Sequence, residues 1–416
     1  MPGRTDENRS ALVYAVSYDQ QIWSEPKQIL EESLDSTADF QFDLFVDGTD
    51  IHLIWGKAKT QYASGVTLDE MAAGVETYYA RLDTITDTVH DLRKMSDNDV
   101  PDILHAASKE ANGFAWATNM LDGAGGVFGT DHTNVIHYSL QDHTVMGSVY
   151  ASSGSTVTDL ALGQLQGLTY IAYVEDSDGD LSSNDDKELW ILSAATDQKT
   201  RLTENSVIDS HPVFSLIQGV PALFWYSDGD IKYTFDLETI HSVFGEERTF
   251  IAGENFTLVT SDTDAKIIWE SISVNEAEEH AGTAIYAIDY LGGDWSHIYK
   301  LGDTSSELTS EPNGFIDGNT VYITILEASG TAGIPTFAVK VLELEPKPDI
   351  ALRNVYYDLD AVMPGEQLPL TLVLENVGNS VIDRFEVSVD GTVIAVMQDL
   401  HLDKGTTMEY VVDDFV

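Results

Sequence analysis

The stretch YAVSYDQQIWSEP, residues Tyr14–Pro26, alternates along its first half, breaks at Asp19 and resumes at Trp23, three residues before Pro26. This pattern is typical of two short β-strands joined by a turn. Variants of the stretch return along the chain as TYYARLD (77–83), IHYSLQD (136–142), LWILSAATD (189–197), IKYTFD (231–236) and AIYAIDY (284–290). Residues 14–26 are therefore the first copy of a repeat and not a single surface hairpin.

A second kind of strand pair lies between these copies. Its first strand usually ends in Gly or Asp, as in HPVFSLIQG (211–219), and its second strand carries a bulky ring, as in PALFWYSDG (221–229). The ring recurs about every 50 residues, a spacing typical of repeat folds. The rings are Trp55, Trp116, Tyr173, Trp225 and Trp269. Because large aromatic side chains fill the space between packed sheets, we expect these rings to be buried between neighbouring repeats.

Four short strands per repeat, without a helical period, predict an all-β fold and specifically a β-propeller over residues 1–345. Six inner and six outer strand pairs are visible, and one more strand, PTFAVKVLELE (335–345), follows them. The chain opens on an outer pair. We therefore predict six to seven blades, with seven in a longer parent chain whose upstream segment supplies one more inner pair.

The character of the sequence changes after EPKPD, residues 345–349. Residues 346–416 alternate along strands separated by the turn signals MPGE, NVGNS, VDGT and DKGT, which predicts a β-sandwich. The motifs PGE (364–366), NVGN (376–379) and DG (390–391) resemble the CARDB module, an immunoglobulin-like domain of bacterial and archaeal surface proteins. The match stops before the final strands of that family, which indicates a truncated module. The resemblance implies a spacer or adhesion unit on the cell surface.

The composition of the chain limits which binding partners and which cellular location we expect. Seventy acidic against 21 basic side chains give a formal charge of −49, which repels phosphate backbones and anionic lipids. We therefore expect no nucleic-acid partner and no membrane insertion. There is no cysteine. No secretory signal is visible at the start, and with a surface module present we expect an extracellular protein whose signal lies in the missing upstream part. We expect a monomer within a larger multidomain chain.

The acidic stretch DSDGDLSSNDD, residues 176–186, is the clearest candidate metal site. Oxygen ligands at alternate positions can converge on a hard cation such as Ca²⁺. The candidate ligands are Asp176, Asp178 and Asp180, with Asn184 or Asp185 completing the shell. The stretch resembles the D-x-D-x-D-G-x-x-D loops of integrin-type propellers, although Leu181 stands where that pattern has Gly and Asn184 where it has the last Asp. An acidic turn without metal is the alternative.

Two functions remain open. The first is a non-catalytic scaffold for a glycan or a surface protein, consistent with a resemblance to secreted bacterial and archaeal propeller-repeat proteins. The second is a secreted polysaccharide-active enzyme, a glycosidase or lyase, which needs a pair of carboxylates. Candidate carboxylates near the ends of inner strands are Asp39, Asp99, Asp102, Asp159, Asp209 and Glu311. The segments SYDQQIW (17–23) and DYLGGDW (289–295) depart in spacing from the box of sialidase-type propellers, which favours the scaffold.

Overall fold

The structure is a computed structural model. The residues that it describes are 11–15, 24–30, 37–62, 65–121, 132–141, 145–153, 156–176, 187–245, 253, 255–261, 265–274, 280–291, 293–296, 298–301, 308–317, 320–329, 336–344, 350–356, 368–376, 381–382, 384–389, 392–398, 402–403 and 406–415. The chain forms two compact units. The first comprises residues 1–215 and 221–243, and the second comprises residues 216–220 and 244–416.

The first unit is built from a two-stranded sheet followed by four-stranded sheets. Sheet 1 contains β1 (Val13–Tyr14) and β2 (Lys27–Gln28). Sheet 2 contains β3 (Asp39–Asp47), β4 (Asp50–Ala58), β5 (Val75–Asp83) and β6 (Thr88–Lys94). Sheet 3 contains β7 (Asp102–Ser108), β8 (Gly113–Leu121), β9 (His132–Leu140) and β10 (Val145–Ser153). Sheet 4 contains β11 (Thr156–Leu165), β12 (Leu168–Asp176), β13 (Lys187–Ser193) and β14 (Gln198–Arg201). Sheet 5 contains β15 (Asp209–Ile217), β16 (Val220–Ser227), β17 (Asp230–Thr234) and β18 (His241–Ser242).

Strands in sheets 2 to 5 pair in chain order, which confirms the predicted repeat of four short strands. One short helix, α1 (Leu68–Ala73), interrupts sheet 2 between β4 and β5. A capping box explains where it begins: the Thr67 hydroxyl accepts from the backbone N–H of Glu70, and the Glu70 carboxylate accepts from that of Thr67. The all-β prediction therefore holds, with α1 as the one helix among the described residues.

The fourth strand of sheet 5 differs from the sequence-based prediction. The alternation of RTFIAG (248–253) predicts the fourth strand of this repeat at those residues, whereas β17 is followed by β18 at His241–Ser242. The Asp236 carboxylate explains the early return, because it accepts hydrogen bonds from the backbone N–H groups of Glu238 and Thr239 at 2.9 and 2.8 Å. Such a side-chain cap closes a tight turn that sequence alternation does not reveal.

The second unit continues the pattern of sheets. Sheet 6 contains β19 (Phe256–Thr260), β20 (Ala265–Val274), β21 (His280–Leu291), β22 (Asp294–Trp295) and β23 (Tyr299–Lys300), and sheet 7 contains β24 (Leu308–Asp317), β25 (Thr320–Ser329) and β26 (Thr336–Leu344). Sheet 8 contains β27 (Ile350–Tyr356), β28 (Leu368–Asn376) and β31 (Thr407–Phe415), and sheet 9 contains β29 (Phe385–Val389) and β30 (Thr392–Met397). Leu372, Leu374 and Phe385 form a small buried cluster. The predicted hinge at 345–349 lies outside the described residues.

Neighbouring sheets pack face to face through apolar cores. Phe45, Ile54 and Tyr79 of sheet 2 pack against Phe114 and Trp116 of sheet 3. Comparable clusters join sheets 3 and 4, sheets 4 and 5, and, in the second unit, sheets 6 and 7. This stacking of successive antiparallel sheets is propeller-like.

The predicted burial of the five recurring rings is confirmed. Their exposed fractions are 4% or less, for Trp55, Trp116, Tyr173, Trp225 and Trp269. In four sheets the ring contacts a second ring on the third strand. The ring-centroid distances are 5.9 Å for Trp55–Tyr78, 5.2 Å for Trp116–His137, 6.4 Å for Tyr173–Trp190 and 6.2 Å for Trp269–Tyr286. Cross-strand ring pairs of this kind stabilise a sheet beyond their area of burial.

No helix in the described part of the chain has the length and apolar character needed to cross a bilayer.

Candidate functional site

A polar row crosses one end of sheet 2. Asp39, Lys57 and Glu76 are cross-strand neighbours on the first three strands, and each is 6% exposed or less. The Lys57 ammonium and the Trp55 indole both donate to Oδ1 of Asp39, at 3.0 and 3.1 Å. Because a buried carboxylate is costly unless it is paired, these donors are what keep Asp39 in place.

The carboxylates Asp102 and Asp209 occupy the equivalent position in sheets 3 and 5, and they are 1% and 0% exposed. Asp102 accepts hydrogen bonds from the Thr118 hydroxyl at 2.5 Å and from the backbone N–H of Thr77 at 3.1 Å. Asp209 accepts from the Trp225 indole at 3.1 Å and from the Asn205 amide at 2.8 Å. Three of the six candidate catalytic carboxylates are thus withdrawn from solvent into hydrogen bonds that hold strands together.

Two of these carboxylates belong to a repeated bridge between sheets. In the first copy, the Ser96 hydroxyl lies 2.6 Å from Oε2 of Glu76 and also contacts Asp102. The backbone N–H of Asn98 donates to the other Glu76 oxygen at 2.8 Å. Because Glu76 is on the third strand of sheet 2 and Asp102 opens sheet 3, the connecting segment ties one sheet to the next. We call the set Glu76, Ser96, Asn98 and Asp102 the first inter-sheet clamp.

The second inter-sheet clamp, Glu188, Thr203, Asn205 and Asp209, repeats this geometry between sheets 4 and 5. The Thr203 hydroxyl donates to Oε2 of Glu188 at 2.6 Å, and the backbone N–H of Asn205 donates to Oε1 of Glu188 at 2.9 Å. The two segments read SDNDVPD (96–102) and TENSVID (203–209), which share the pattern S/T-x-N-x-V-x-D.

The shared asparagine has a local role in both segments. The side-chain oxygen of Asn98 accepts from the backbone N–H of Val100 at 2.9 Å, and that of Asn205 accepts from Val207 at 2.8 Å. This side-chain turn bends the segment so that its hydroxyl reaches both the buried Glu carboxylate and the Asp at the end of the segment. From the sequence, Ser96 belongs to the predicted outer strand TVHDLRKMS (88–96) and Thr203 to the predicted outer strand TRLTEN (200–205), and neither is predicted to join two sheets. The signal that could have revealed them is the repeated seven-residue string.

In each clamp a basic side chain forms an ion pair with the glutamate. Lys59 Nζ lies 2.6 Å from Glu76, and Arg201 Nη2 lies 2.9 Å from Glu188. The aspartates have no such cation among their described contacts. Burial raises the pKa of Asp102 and of Asp209, and the neighbouring glutamate raises each pKa further, while hydroxyl and amide donors offset part of the shift. The clamps therefore hold Asp and Glu carboxyl groups close together by a shared hydroxyl.

The remaining candidate carboxylates have different surroundings. Asp99 is fully exposed at its side chain and contacts Lys59 at 3.1 Å. Asp159, on β11, is half-buried and accepts from the Thr158 hydroxyl at 3.1 Å. The side chain of Glu311 lies outside the described residues. Asp99 and Asp159 are therefore the two candidates that reach solvent in the described structure.

The candidate calcium ligands are only partly described. Asp176 is the last residue of β12, is fully buried, and lies opposite Thr156 and Lys187 in sheet 4. Asp178, Asp180, Asn184 and Asp185 lie outside the described residues. No cluster of three or more His, Asp or Glu side chains able to hold a metal occurs among the residues that the structure covers. Calcium binding at 176–186 stays a prediction.

A buried triad in the second unit was not anticipated from the sequence. Lys266 contacts both Asp289 and the Tyr299 hydroxyl, and that hydroxyl donates to Oδ2 of Asp289 at 2.9 Å. Burial, followed by the charge of Asp289, raises the pKa of the Tyr299 phenol well above its ordinary value. The triad thus pairs an ammonium with a carboxylate and keeps the phenol neutral. It joins β20, β21 and β23 without presenting a nucleophile.

Comparisons with known proteins give fold-level likeness only. No protein-family model matches the chain, and no curated protein matches it. Similar solved structures include a prolyl endopeptidase (TM-score 0.48, 10% identity, 89% of this chain and 51% of that chain) and a polysaccharide lyase (0.39, 10%, 97% of each chain). A third is the Trypanosoma rangeli sialidase in complex with the inhibitor DANA (0.39, 9%, 73% of this chain and 55% of that chain). The chain spans about half the length of the endopeptidase. Likeness at this level does not bear on activity.

Proposed function

We propose that this chain is a non-catalytic binding protein of the cell surface or extracellular space. In this proposal the sheets within residues 1–345 are blades of a β-propeller, seven in the longer protein, which presents a rigid face to a glycan or a protein. Residues 346–416 form part of a CARDB-like, immunoglobulin-type spacer. The motifs PGE (364–366) and NVGN (376–379) support the spacer, and the face-to-face packing of successive sheets supports the propeller.

One observation carries the non-catalytic part of the proposal. Asp39, Asp102 and Asp209 are each at least nine-tenths buried and accept hydrogen bonds from groups of the scaffold. A glycosidase needs two carboxyl groups that reach the same sugar, about 5–10 Å apart. Carboxylates that hold sheets together cannot also meet a substrate, so the chain uses its repeated acids for architecture.

The alternative, a secreted polysaccharide-active enzyme, depends on the acids that remain in contact with solvent. Asp99 and Asp159 are the described candidates of this kind. Substitution of these two acids therefore tests the alternative. Asp97, two residues before Asp99, has a similarly exposed side chain, so its substitution serves as the control.

The experiment measures binding and turnover on the same samples. The 416-residue chain is applied to a glycan and polysaccharide array, and the supernatant is assayed for new reducing ends and for unsaturated products. We expect retention on one glycan class with no product. Product release by the wild type that is lost in Asp99→Asn with Asp159→Asn, but kept in Asp97→Asn, would establish the enzyme instead. Absence of any retained glycan would rule out the glycan ligand and leave the protein ligand to be sought by pull-down.

Calcium is part of the proposal as a structural ion at residues 176–186. Alternating carboxylates there supply the hard oxygen ligands that Ca²⁺ prefers, and the high acidic content of the chain is consistent with a cation-rich, extracellular setting.

A further inference from the structure

The outer edge of sheet 3 differs from the outer edges of its neighbours. Its last strand, β10, is nine residues long and contains no charged residue, although 22% of the residues of the chain are charged. The outer strands of sheets 2, 4 and 5 are charged or short: β6 contains Asp91, Arg93 and Lys94, β14 contains Lys199 and Arg201, and β18 has two residues. Charge and short length are what keep exposed sheet edges from pairing with other strands. The edge of β10 has neither protection.

One face of β10 is covered and the other is open. Val149 and Ala151 pack in the apolar cluster that joins sheets 3 and 4. On the opposite face Met146 and Tyr150 are 64% and 62% exposed, and the exposed Ser148 lies between them. Because alternate residues of a strand project from opposite faces, these three side chains form one row beside the open edge. We call Met146, Ser148 and Tyr150 the β10 stripe.

The backbone of β10 determines which of its residues can pair with a further strand. The N–H and C=O groups of a strand alternate in direction, residue by residue, between its two sides. The Tyr150 carbonyl accepts a hydrogen bond from the Lys199 ammonium of sheet 4 at 2.8 Å, so it points away from β9. Ser148 and Met146 lie two and four residues before Tyr150, and their backbone groups therefore point outward as well. Among the described residues, β9 is the only strand that pairs with β10.

We propose that β10 is a dimer interface, at which it pairs antiparallel with β10 of a second copy of this chain about a twofold axis at Ser148. In this register Ser148 is opposite Ser148 of the second copy, and Met146 is opposite its Tyr150. All the opposed residues have outward N–H and C=O groups, which they can exchange as paired hydrogen bonds. The stripe is self-complementary in the way that a twofold interface requires, because each exposed thioether meets an exposed aromatic ring.

Charge favours a second copy over a basic partner as the occupant of this edge. Each chain has a formal charge of −49, so two copies repel each other wherever their acidic surfaces meet. An uncharged strand is the kind of surface on which two such chains can come into contact. A basic partner would instead be matched by carboxylates at the contact, and β10 has none. The proposal departs from the monomer expected from the sequence, and it does not depend on what the protein binds.

Sedimentation of the 416-residue chain tests whether the dimer forms. A single strand pair lies below the roughly 1,200 Å² at which specific interfaces become stable, so we expect a reversible dimer. At about 0.5 M NaCl the repulsion between the acidic chains is largely screened. Under these conditions the mass should rise from one chain to two as the protein concentration increases from about 1 µM to 1 mM.

A charge-matched pair of variants locates the interface. Met146→Lys with Tyr150→Lys places two ammonium groups on the stripe and should keep the chain monomeric at all these concentrations. Ile85→Lys with Leu168→Lys changes the charge equally, at residues that are 76% and 49% exposed, and should dimerise like the wild type. Because the stripe is exposed in the monomer, the stripe variant should have the melting temperature of the wild type at about 1 µM.

The absence of cysteine allows the register to be measured by disulfide formation. Ser148→Cys places two thiols on the axis, with Cα atoms about 5.5 Å apart, a distance that a disulfide spans. Position 146 lies about 13 Å from position 146 of the second copy but directly opposite position 150. We therefore expect Ser148→Cys to cross-link alone, and Met146→Cys and Tyr150→Cys to cross-link only when mixed. Ile85→Cys, in the β5–β6 turn, should cross-link at least about ten-fold more slowly than Ser148→Cys.

Three results would overturn the proposal. A chain that stays monomeric up to about 1 mM would exclude the second copy and leave a strand of another protein as the occupant. Dimerisation that persists in Met146→Lys with Tyr150→Lys would place the interface elsewhere. Cross-linking of Ser148→Cys no faster than that of Ile85→Cys would show that β10 does not meet its own copy, and this readout does not depend on the stability of the lysine variants.

Discussion

The indole Nε1 of Trp225 lies 3.1 Å from Oδ1 of Asp209, 16 residues before it in the chain. Trp55 and Asp39 repeat the relationship with the same distance and the same separation. In both sheets a buried ring on the second strand is thereby fixed to the first residue of the first strand. The recurring ring has a polar role in these sheets in addition to its packing role. Trp269 is equally buried, but its Nε1 has no hydrogen-bond partner among the described residues.

This difference predicts unequal effects of one substitution. Trp225→Phe keeps an aromatic ring but removes a donor from the buried Asp209, whereas Trp269→Phe removes only volume. We expect Trp225→Phe to lower the free energy of unfolding by about 1–3 kcal/mol more than Trp269→Phe does. Urea denaturation of both variants at pH 7 measures it. Equal losses would show that the indole bond to Asp209 contributes nothing measurable.

The inter-sheet clamps predict that the free energy of unfolding depends on a hydroxyl group at position 203, which either Thr or Ser can supply. The Thr203 hydroxyl donates a hydrogen bond to the Glu188 carboxylate, and it accepts one from the backbone N–H of Leu189 at 2.9 Å. Thr203→Ala leaves these buried groups without a partner and should cost about 1–3 kcal/mol, while Thr203→Ser should recover most of the loss.

The exposed Thr60 provides the control. Thr60→Ala should change the free energy of unfolding by less than about 0.5 kcal/mol. If Thr203→Ser were as unstable as Thr203→Ala, packing of the methyl group and not the clamp would be the source of the effect.

The sequence revealed the strands and the rings because both follow from side-chain alternation, which depends on neighbours two residues apart. It placed Asp39, Asp102 and Asp209 correctly at the starts of inner strands. It did not reveal their burial, because that depends on a segment of the preceding sheet folding over them. The sequence does not reveal the roles of Ser96 and Asn98 for the same reason: hydroxyl and amide residues are common near turns, and only the long-range contact to Glu76 distinguishes these two.

The calcium prediction is tested by linkage. Ca²⁺ that binds the folded state stabilises it in proportion to ln(1 + [Ca²⁺]/Kd), so excess Ca²⁺ should raise the melting temperature relative to EGTA. Asp178→Ala with Asp180→Ala should abolish the rise. The exposed pair Asp97→Ala with Asp99→Ala should retain it. A similar rise in all three proteins, or with Mg²⁺, would indicate general screening of the acidic surface.

Asp43 lies on β3 between Phe42 and Leu44, two exposed apolar residues. Its carboxylate accepts from the backbone N–H of Leu44 at 2.7 Å and from that of Ala107, on β7, at 2.8 Å. Burial raises the pKa of Asp43 from 3.8 to about 6, and the two backbone donors offset only part of the shift. The folded state therefore holds the proton more tightly than the unfolded state does.

The sign of the pH dependence follows from this difference. Stabilisation by the Asp43 proton is complete below the unfolded pKa near 4 and is lost as the pH rises through about 6, by an amount on the order of 2–3 kcal/mol. Urea denaturation from pH 4 to pH 8 should show this decline in wild type and in Asp47→Asn, whose carboxylate is exposed on the same strand. Asp43→Asn cannot titrate and should show a flatter profile over the same range. Identical profiles for Asp43→Asn and Asp47→Asn would mean that Asp43 ionises in the folded protein as readily as in the unfolded chain.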